Sequence, residues 1–309
     1  MDRVNIAFKY FYPGFEPHHF LNRFPFLHDL VTVTPVSEAR LVVFSVWHGQ
    51  EEFVPSEADR EAGRFHAMPR IDREPGKVYL FWSGENIVPN MHWCDYAISH
   101  VYSDNPQHLR LPYWVMAIRG YDMELDRLRY FDPSRATEGL PPRSCNFLYS
   151  HSVPYRENFT RQLSAFVDVV CPGLSLNNTD EVVPTGFSDK LGFLSQFKFT
   201  IAFENSSDPG YTTEKIVDPL LAGSIPIYWG NPRVLEEFDR GCLILASDFP
   251  DISKLGDYLN HLSSNPDAYM AIQRHNRFPK DQIPHVAQED YTLSFVNRVL
   301  RDASGGRAA

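Results

Sequence analysis

Short apolar runs alternate along the chain with longer stretches in which apolar positions recur at helical spacing. Continuous apolar runs of about four to eight residues are typical of strands buried on both faces of a parallel sheet. The predicted strands are 4–8, 41–46, 77–82, 96–98, 145–149, 167–170, 198–203, 225–229 and 242–245. The predicted helices are 155–166, 212–222, 253–263, 266–275 and 290–302. This alternation predicts an α/β protein.

The alternation breaks at 131–145 (FDPSRATEGLPPRSC), which is rich in Pro, Gly and Ser and has no apolar period. Each side of the break has its own succession of strands and helices. We therefore expect two Rossmann-like domains that face each other across a cleft. The first would span residues 1–138 and the second 139–309, with the C-terminal helices belonging to the second.

Composition and charge exclude several classes of protein. The 309 residues are 43% hydrophobic, which rules out global disorder, and the net charge of −10 disfavours binding to nucleic acid or to anionic lipids. No stretch reaches the ~20 apolar residues of a membrane span. The scattered cysteines have no zinc-site spacing and suit a reducing compartment. We expect a soluble cytoplasmic protein, with peripheral attachment at the inner membrane left open.

The stretch 198–230 combines a strand, a polar loop, a helix and a second strand into one βαβ unit. Ligands of such units bind beyond the carboxyl ends of the strands, at the loop and at the start of the helix. The side chains that this geometry brings together are Asn205, Tyr211, Thr213, Glu214 and Lys215.

The first turn of this helix suggests an anion site. Backbone amides at a helix N-terminus attract phosphate, and Lys215 adds a positive charge there, although a cation at that end opposes the helix dipole. The alternative is that Glu214 and Lys215 form an ordinary solvated pair. Pro219 requires the helix to begin near residue 215 or to kink.

Two charged residues elsewhere follow predicted strands. Glu85 comes soon after the strand 77–82, beside Trp82, where burial would raise its pKa towards the range of a general base. A plain surface position is the alternative. Arg156 opens a helix after Pro154 and would point back towards the strand ends, unless a salt bridge to Glu157 or Asp168 occupies it.

Two common nucleotide motifs are absent from the sequence. No GxGxxG follows a predicted strand, and no GxxxxGK[ST] occurs anywhere in the chain. The second absence argues strongly against a P-loop, and the first argues more weakly against a nicotinamide site.

Three blocks of sequence closely resemble the α1,3-fucosyltransferases, especially the bacterial ones that make Lewis-type antigens. The first block consists of 203–206 (FENS), 210–211 (GY), 213–216 (TEKI) and 225–230 (IPIYWG). The second consists of 84–86 (GEN) with Pro89, 94–98 (CDYAI), and Arg110 with Pro112. The third is Pro154-x-Arg156 before a helix.

The resemblance implies a GT-B fold and an inverting transfer of L-fucose from GDP-β-L-fucose, with no cofactor and no essential metal. The second domain would bind the donor, and the first would bind an acceptor of N-acetyllactosamine type at the 3-OH of GlcNAc. Glu85 matches the proposed general base, and Arg156 and Lys215 match the residues that hold the diphosphate. The remaining matched donor-site positions are Asn205, Tyr211, Thr213 and Glu214. Glu214 would contact either the ribose or the fucose.

Other activities stay open at this point. Residues 99–101 (SHV) depart from the pattern of the bacterial relatives near the acceptor side, so an α1,4 linkage, a glucose acceptor or an O-antigen acceptor is compatible with the same donor site. A non-catalytic nucleotide-sugar-binding protein is a more distant alternative. A glycosidase would need a second acid facing Glu85 across the sugar. The oligomeric state is not predicted.

Overall fold

A computed structural model describes residues 3–47, 56–61, 63, 65–131, 140–180, 182–183 and 187–305. Within these residues, strands form a six-stranded and a five-stranded sheet, and helices pack around both. All pairings within both sheets are parallel. The expectation of an α/β protein with two parallel sheets is confirmed.

The first sheet has the order β2-β1-β3-β4-β5-β6. Its strands are β1 (Val4–Lys9), β2 (Val31–Val33), β3 (Leu41–Phe44), β4 (Val78–Trp82), β5 (Tyr96–Ser99) and β6 (His108–Arg110). Every residue of β3, β4 and β5 is buried, as expected for strands covered on both faces. The three-residue strands β2 and β6 were not predicted from the sequence.

The second sheet has the order β11-β10-β9-β7-β8. Its strands are β7 (Arg143–Asn146), β8 (Val169–Val170), β9 (Phe197–Phe203), β10 (Ile225–Trp229) and β11 (Ile244–Leu245). The central pair, β9 and β10, is in register from Ile225 opposite Phe199 to Trp229 opposite Phe203. Each of these strands overlaps a predicted one, although β8 and β11 are shorter than expected.

The helices include five that the sequence did not predict. They are α1 (Pro17–Leu21), α2 (Glu57–Glu61), α3 (Tyr113–Gly120), α4 (Leu125–Arg129) and α6 (Phe187–Leu194). The predicted helices are present as α5 (Pro154–Leu163), α7 (Glu214–Ala222), α8 (Ile252–Ser264), α9 (Pro266–Gln273) and α10 (Glu289–Ala303). Among the described residues, none of the helices combines the length and the hydrophobicity that a membrane-spanning segment requires.

We call the parts of the molecule built on the first and second sheets the first and second lobe. The predicted boundary at 138/139 lies in 132–139, outside the described residues, so the division stays a prediction. Helix α10, at the end of the chain, packs on the first sheet. The ring of Phe295 lies 5.6 Å from that of Tyr96, whose hydroxyl donates to Asp302 at 2.7 Å.

Buried polar contacts join the two lobes beside α3. Arg110, at the end of β6, forms an ion pair with Glu237, and the indole of Trp114 donates to the same carboxylate at 2.5 Å. Further along, the Tyr121 hydroxyl donates to Asp218 of α7 at 3.1 Å. These contacts fix how the carboxyl ends of the two sheets face each other.

Candidate active site

A cavity of about 410 Å³ lies between the lobes, where the carboxyl ends of the parallel strands meet. Residues from the ends of β1, β3 and β4 line one side, and residues that follow β7 and β9 line the other. All seven site residues predicted from the sequence line this one cavity: Glu85, Arg156, Asn205, Tyr211, Thr213, Glu214 and Lys215.

Glu204, a buried acid of the matched block 203–206 for which no role was predicted, organises the start of α7. Glu204 is fully buried at the end of β9, and its carboxylate accepts from the Thr213 amide at 2.8 Å and from the Thr213 hydroxyl at 2.7 Å. Thr213 in turn caps α7. The helix begins at Glu214 and contains Pro219, which has no N–H to donate to the carbonyl one turn earlier.

Lys215 is held between two carboxylates in the first turn of α7. Its Nζ lies 3.6 Å from Glu204 Oε2 and 3.4 Å from Glu214 Oε1, and its side chain is 15% exposed. The alternative of a solvated surface pair is therefore wrong. Burial alone would raise the pKa of Glu214, but Lys215 and then Lys190 lower it to about 2.

Arg156 is a buried cation on α5, with 1% of its surface exposed. One guanidinium nitrogen donates to Asn205 Oδ1 at 2.9 Å and another to the His151 carbonyl at 2.9 Å, and the guanidinium lies 4.2 Å from the Tyr149 ring centroid. Its buried Nε has no hydrogen-bond partner among the residues that the structure describes. Within the described ranges, no carboxylate forms an ion pair with Arg156.

The alternatives that the sequence left open for Arg156 are therefore wrong. Glu157 instead pairs with Arg161 on the outer face of α5, at 3.1 Å, and accepts from Ser175. A buried charge without a counter-ion is costly, because the interior solvates it less well than water does. Arg156 thus supplies an unneutralised positive charge to the cavity wall.

Glu85 lies across the cavity, on the loop that follows β4. Its amide donates to Ser83 Oγ at 3.0 Å. The neighbouring Gly84 passes so close to the Tyr113 ring that a Cβ there would approach it to 2.2 Å. Burial raises the pKa of Glu85, an effect that Lys215 opposes and Glu214 reinforces. The carboxyl therefore faces the cavity in a partly buried position, and the surface alternative is wrong.

The cavity also contains side chains that the sequence analysis missed. Lys190 lines it from α6, and its ammonium is 2.5 Å from the buried Asp218. Tyr12, Trp47 and His151 line the same cavity. Because α6 was not predicted, no local pattern indicated that Lys190 lies near Lys215.

In the part of the chain that the structure describes, no three His, Cys, Asp or Glu side chains are grouped as a metal site requires. The expectation that the chemistry needs no metal stays a prediction. The cysteines Cys94, Cys145, Cys171 and Cys242, all described, are buried and form no disulfide.

Two lobes, each built on a sheet of parallel strands flanked by helices, with a site between the carboxyl ends of the two sheets, form the architecture of the GT-B glycosyltransferases. Residues 144–295 match the family model of the glycosyltransferase family 10 (fucosyltransferase) C-terminal region. Residues 70–117 match the model of the α-(1,3)-fucosyltransferase FucT N-terminal domain. The chain belongs to glycosyltransferase family 10, the fucosyltransferases.

Several known proteins are similar to this chain. The Helicobacter pylori α-(1,3)-fucosyltransferase FucT is 29% identical over 225 residues, covering 64% of this chain and 46% of that protein. Drosophila melanogaster α-(1,3)-fucosyltransferase B is 34% identical over 146 residues, covering 44% and 33%. Human GDP-fucose protein O-fucosyltransferase 3 is 29% identical over 176 residues, covering 53% and 36%. The chain thus spans less than half the length of these curated relatives.

The fold has a close counterpart among solved structures. A crystal structure of an α1,3-fucosyltransferase with GDP superposes with a TM-score of 0.76 at 23% identity, covering 97% of this chain and 90% of the other. The GT-B expectation is confirmed.

Proposed function

We propose that this protein is an inverting α1,3-fucosyltransferase that transfers L-fucose from GDP-β-L-fucose to the 3-OH of GlcNAc in an N-acetyllactosamine-type glycan. Family membership supplies the donor class. The observation that carries the proposal is the placement of a buried, unneutralised Arg156 and of Lys215 on one side of a cavity whose other side presents Glu85.

The cationic side suits a nucleoside diphosphate. Arg156 lines the cavity without a carboxylate partner among the described residues, and Lys215 is oriented by Glu204. The N-terminus of α7, which carries a partial positive charge, lies at the same side of the cavity. We assign Asn205, Tyr211, Thr213 and Glu214 to the same donor site. Fixed charges in a partly buried site stabilise developing charge without reorganising, so these two cations would stabilise the departing GDP.

The opposite side supplies the base. In the proposed step the acceptor oxygen forms a bond to the anomeric carbon of fucose, and the bond from that carbon to the β-phosphate oxygen breaks. The acceptor proton passes to the Glu85 carboxylate, and the bonding electron pair leaves with GDP. Attack from the face opposite GDP inverts the anomeric configuration. A pKa raised by burial makes Glu85 a stronger base than an exposed glutamate.

A second acceptor class has support from the comparisons. Several relatives are GDP-fucose protein O-fucosyltransferases, which favours a hydroxyl on a polypeptide as the alternative acceptor. An α1,4 linkage, a glucose acceptor and an O-antigen acceptor are the remaining alternatives, all with the same donor.

In the decisive experiment, the purified chain is incubated with GDP-fucose and a panel of acceptors. NMR then assigns the linkage and the anomeric configuration of the fucosylated product. The panel contains N-acetyllactosamine, its β1,3-linked isomer, lactose and a folded polypeptide. We expect GDP release that depends on acceptor and an α1,3-linked product from N-acetyllactosamine. Transfer only to the polypeptide would overturn the acceptor assignment, and no binding of GDP-fucose would overturn the donor assignment.

We further propose that the enzyme is soluble, cytoplasmic and independent of metal. Four buried, unpaired cysteines are compatible with a reducing compartment. The same assay in EDTA tests the metal: unchanged turnover is expected, and loss that Mg²⁺ or Mn²⁺ restores would refute it. Fractionation of the source cells tests the location, since recovery in the membrane pellet would contradict it.

A further inference from the structure

Asn86, the residue after Glu85, reaches across the cleft to the second lobe. Its side-chain nitrogen donates to Ser206 Oγ at 2.5 Å and to the carboxylate of Asp208. An amide nitrogen carries two hydrogens, so it has one for each acceptor. Both acceptors lie on the loop between β9 and α7, about 120 positions further along the chain.

That loop also carries the donor side of the cavity. It contains Asn205, which Arg156 contacts, and further along it Gly210 and Tyr211. Gly210 has φ +87°, and a Cβ there would come 2.4 Å from the His100 carbonyl of the first lobe. The loop is therefore pressed against the first lobe at one end and bonded to Asn86 at the other.

On its own lobe, the Glu85 loop packs Gly84 against the Tyr113 ring, the His100 side chain hydrogen-bonds to the Glu85 backbone, and short-range hydrogen bonds close the turn. The Glu85 amide bonds to Ser83, and the Glu85 carbonyl accepts from the Ile87 amide at 2.8 Å. These bonds shape the turn but do not set its distance from the opposite lobe. The hydrogen bonds of Asn86 across the cleft set this distance, and Asn86 is the residue next to Glu85, whose carboxyl must face the donor.

We infer that Asn86 is a positioning residue that fixes Glu85 relative to the donor-side loop. The inference rests on the proposed function and concerns the placement of its base. Lobe docking has independent contacts, including the Arg110–Glu237 pair and Tyr121–Asp218, so loss of the Asn86 bridge releases the Glu85 loop without parting the lobes. A displacement of about 1 Å at a reacting group can cost about 100-fold in rate.

Exchanging the partners tests the bridge. Asn86→Asp removes both donated hydrogens and sets a carboxylate against Asp208, so we expect kcat to fall about 10- to 100-fold. Asp208→Asn still offers an amide oxygen to Asn86 and should stay within about threefold of wild type. In the double variant, the new amide at 208 donates to the new carboxylate at 86, and kcat should recover.

Binding measurements separate positioning from general damage. GDP affinity by calorimetry should stay within about twofold in every variant, because the diphosphate cations are untouched. If Asn86→Asp does not fold, Ser206→Ala combined with Asp208→Ala removes both acceptors from the other lobe and should give the same loss of kcat.

Three results would overturn the inference: wild-type kcat in Asn86→Asp, equal losses of kcat and GDP affinity, or no recovery in the folded double variant. A wild-type chain that does not turn over GDP-fucose would refute the proposed function and this inference with it. An active wild type with an unaffected Asn86→Asp variant refutes the inference alone.

Discussion

Replacing Arg156 with alanine tests the assignment of the diphosphate site. Arg156 is 1% exposed and makes its two side-chain hydrogen bonds to an amide oxygen and a carbonyl, and no carboxylate of the described residues pairs with it. A hydrogen bond to a charged partner contributes about 1.5–3 kcal/mol. At about 1.4 kcal/mol per tenfold, loss of one such bond weakens GDP binding about 10- to 150-fold.

The matched control lies on the same helix. Arg161 lies five residues after Arg156, its side chain is 61% exposed, and its ion-pair partner among the described residues is Glu157. Arg161→Ala should leave GDP affinity unchanged, because an exposed ion pair on the outer face of α5 does not reach the cavity. Isothermal titration with GDP measures both variants, and thermal unfolding establishes that each is folded.

The reasoning fails if a folded Arg156→Ala variant binds GDP as tightly as wild type. It also fails if Arg161→Ala weakens binding equally, because the effect would then come from the helix or from net charge.

Three further predictions concern pH, backbone and lobe docking. Burial raises the pKa of Glu85 above the ordinary 4.5, and a general base must be ionised, so kcat/KM should fall as the pH drops through this raised pKa. An activity loss centred at or below pH 4.5 would contradict this. Gly210→Ala should weaken GDP binding and destabilise the fold more than Gly14→Ala, because both glycines have positive φ but, of the two, a Cβ at position 210 would lie 2.4 Å from a carbonyl oxygen while one at 14 meets nothing. Equal unfolding free energies of the two variants would refute this. Glu237→Ala leaves the buried Arg110 without its carboxylate and should lower the free energy of unfolding, measured with denaturant, by about 3–5 kcal/mol. Replacing the half-exposed Glu236 with alanine should lower it by less than about 1 kcal/mol, and similar losses in the two variants would refute the reasoning.

The central strands and the donor loop could be predicted because their signals are local. In the predicted strand 198–203, large apolar side chains stand at every second position, and 225–229 is a continuous apolar run. The loop that follows the first strand carries the polar side chains. Since parallel strands end at the same edge of a sheet, the pattern alone brought Asn205 and Lys215 together.

The elements that escaped prediction have ambiguous or short patterns. Helix α3 (YWVMAIRG) is buried at five consecutive positions and has no polar face, so its period does not distinguish helix from strand. Strand β6 is the three-residue segment HLR, whose His108 and Arg110 are polar but buried. Both depend on packing against the rest of the fold.

Contacts across the cleft could not be predicted at all. Asn86 and Ser206 are 120 positions apart, and nothing in either segment indicates the other. Lys190 lines the cavity and pairs with the buried Asp218 of α7, which lies 28 positions further along the chain. Such pairs follow from the docking of the lobes, which a single sequence does not report.

The most direct test of the account compares transfer and binding in Glu85→Gln. The amide keeps the size of the side chain but cannot accept the acceptor proton, and general base catalysis is worth about 100- to 10,000-fold. We predict that fucose transfer falls by that factor, while GDP affinity by calorimetry stays within about twofold of wild type. Wild-type transfer, or an equal loss of transfer and GDP affinity, would contradict the assignment of Glu85 as the base facing the bound donor.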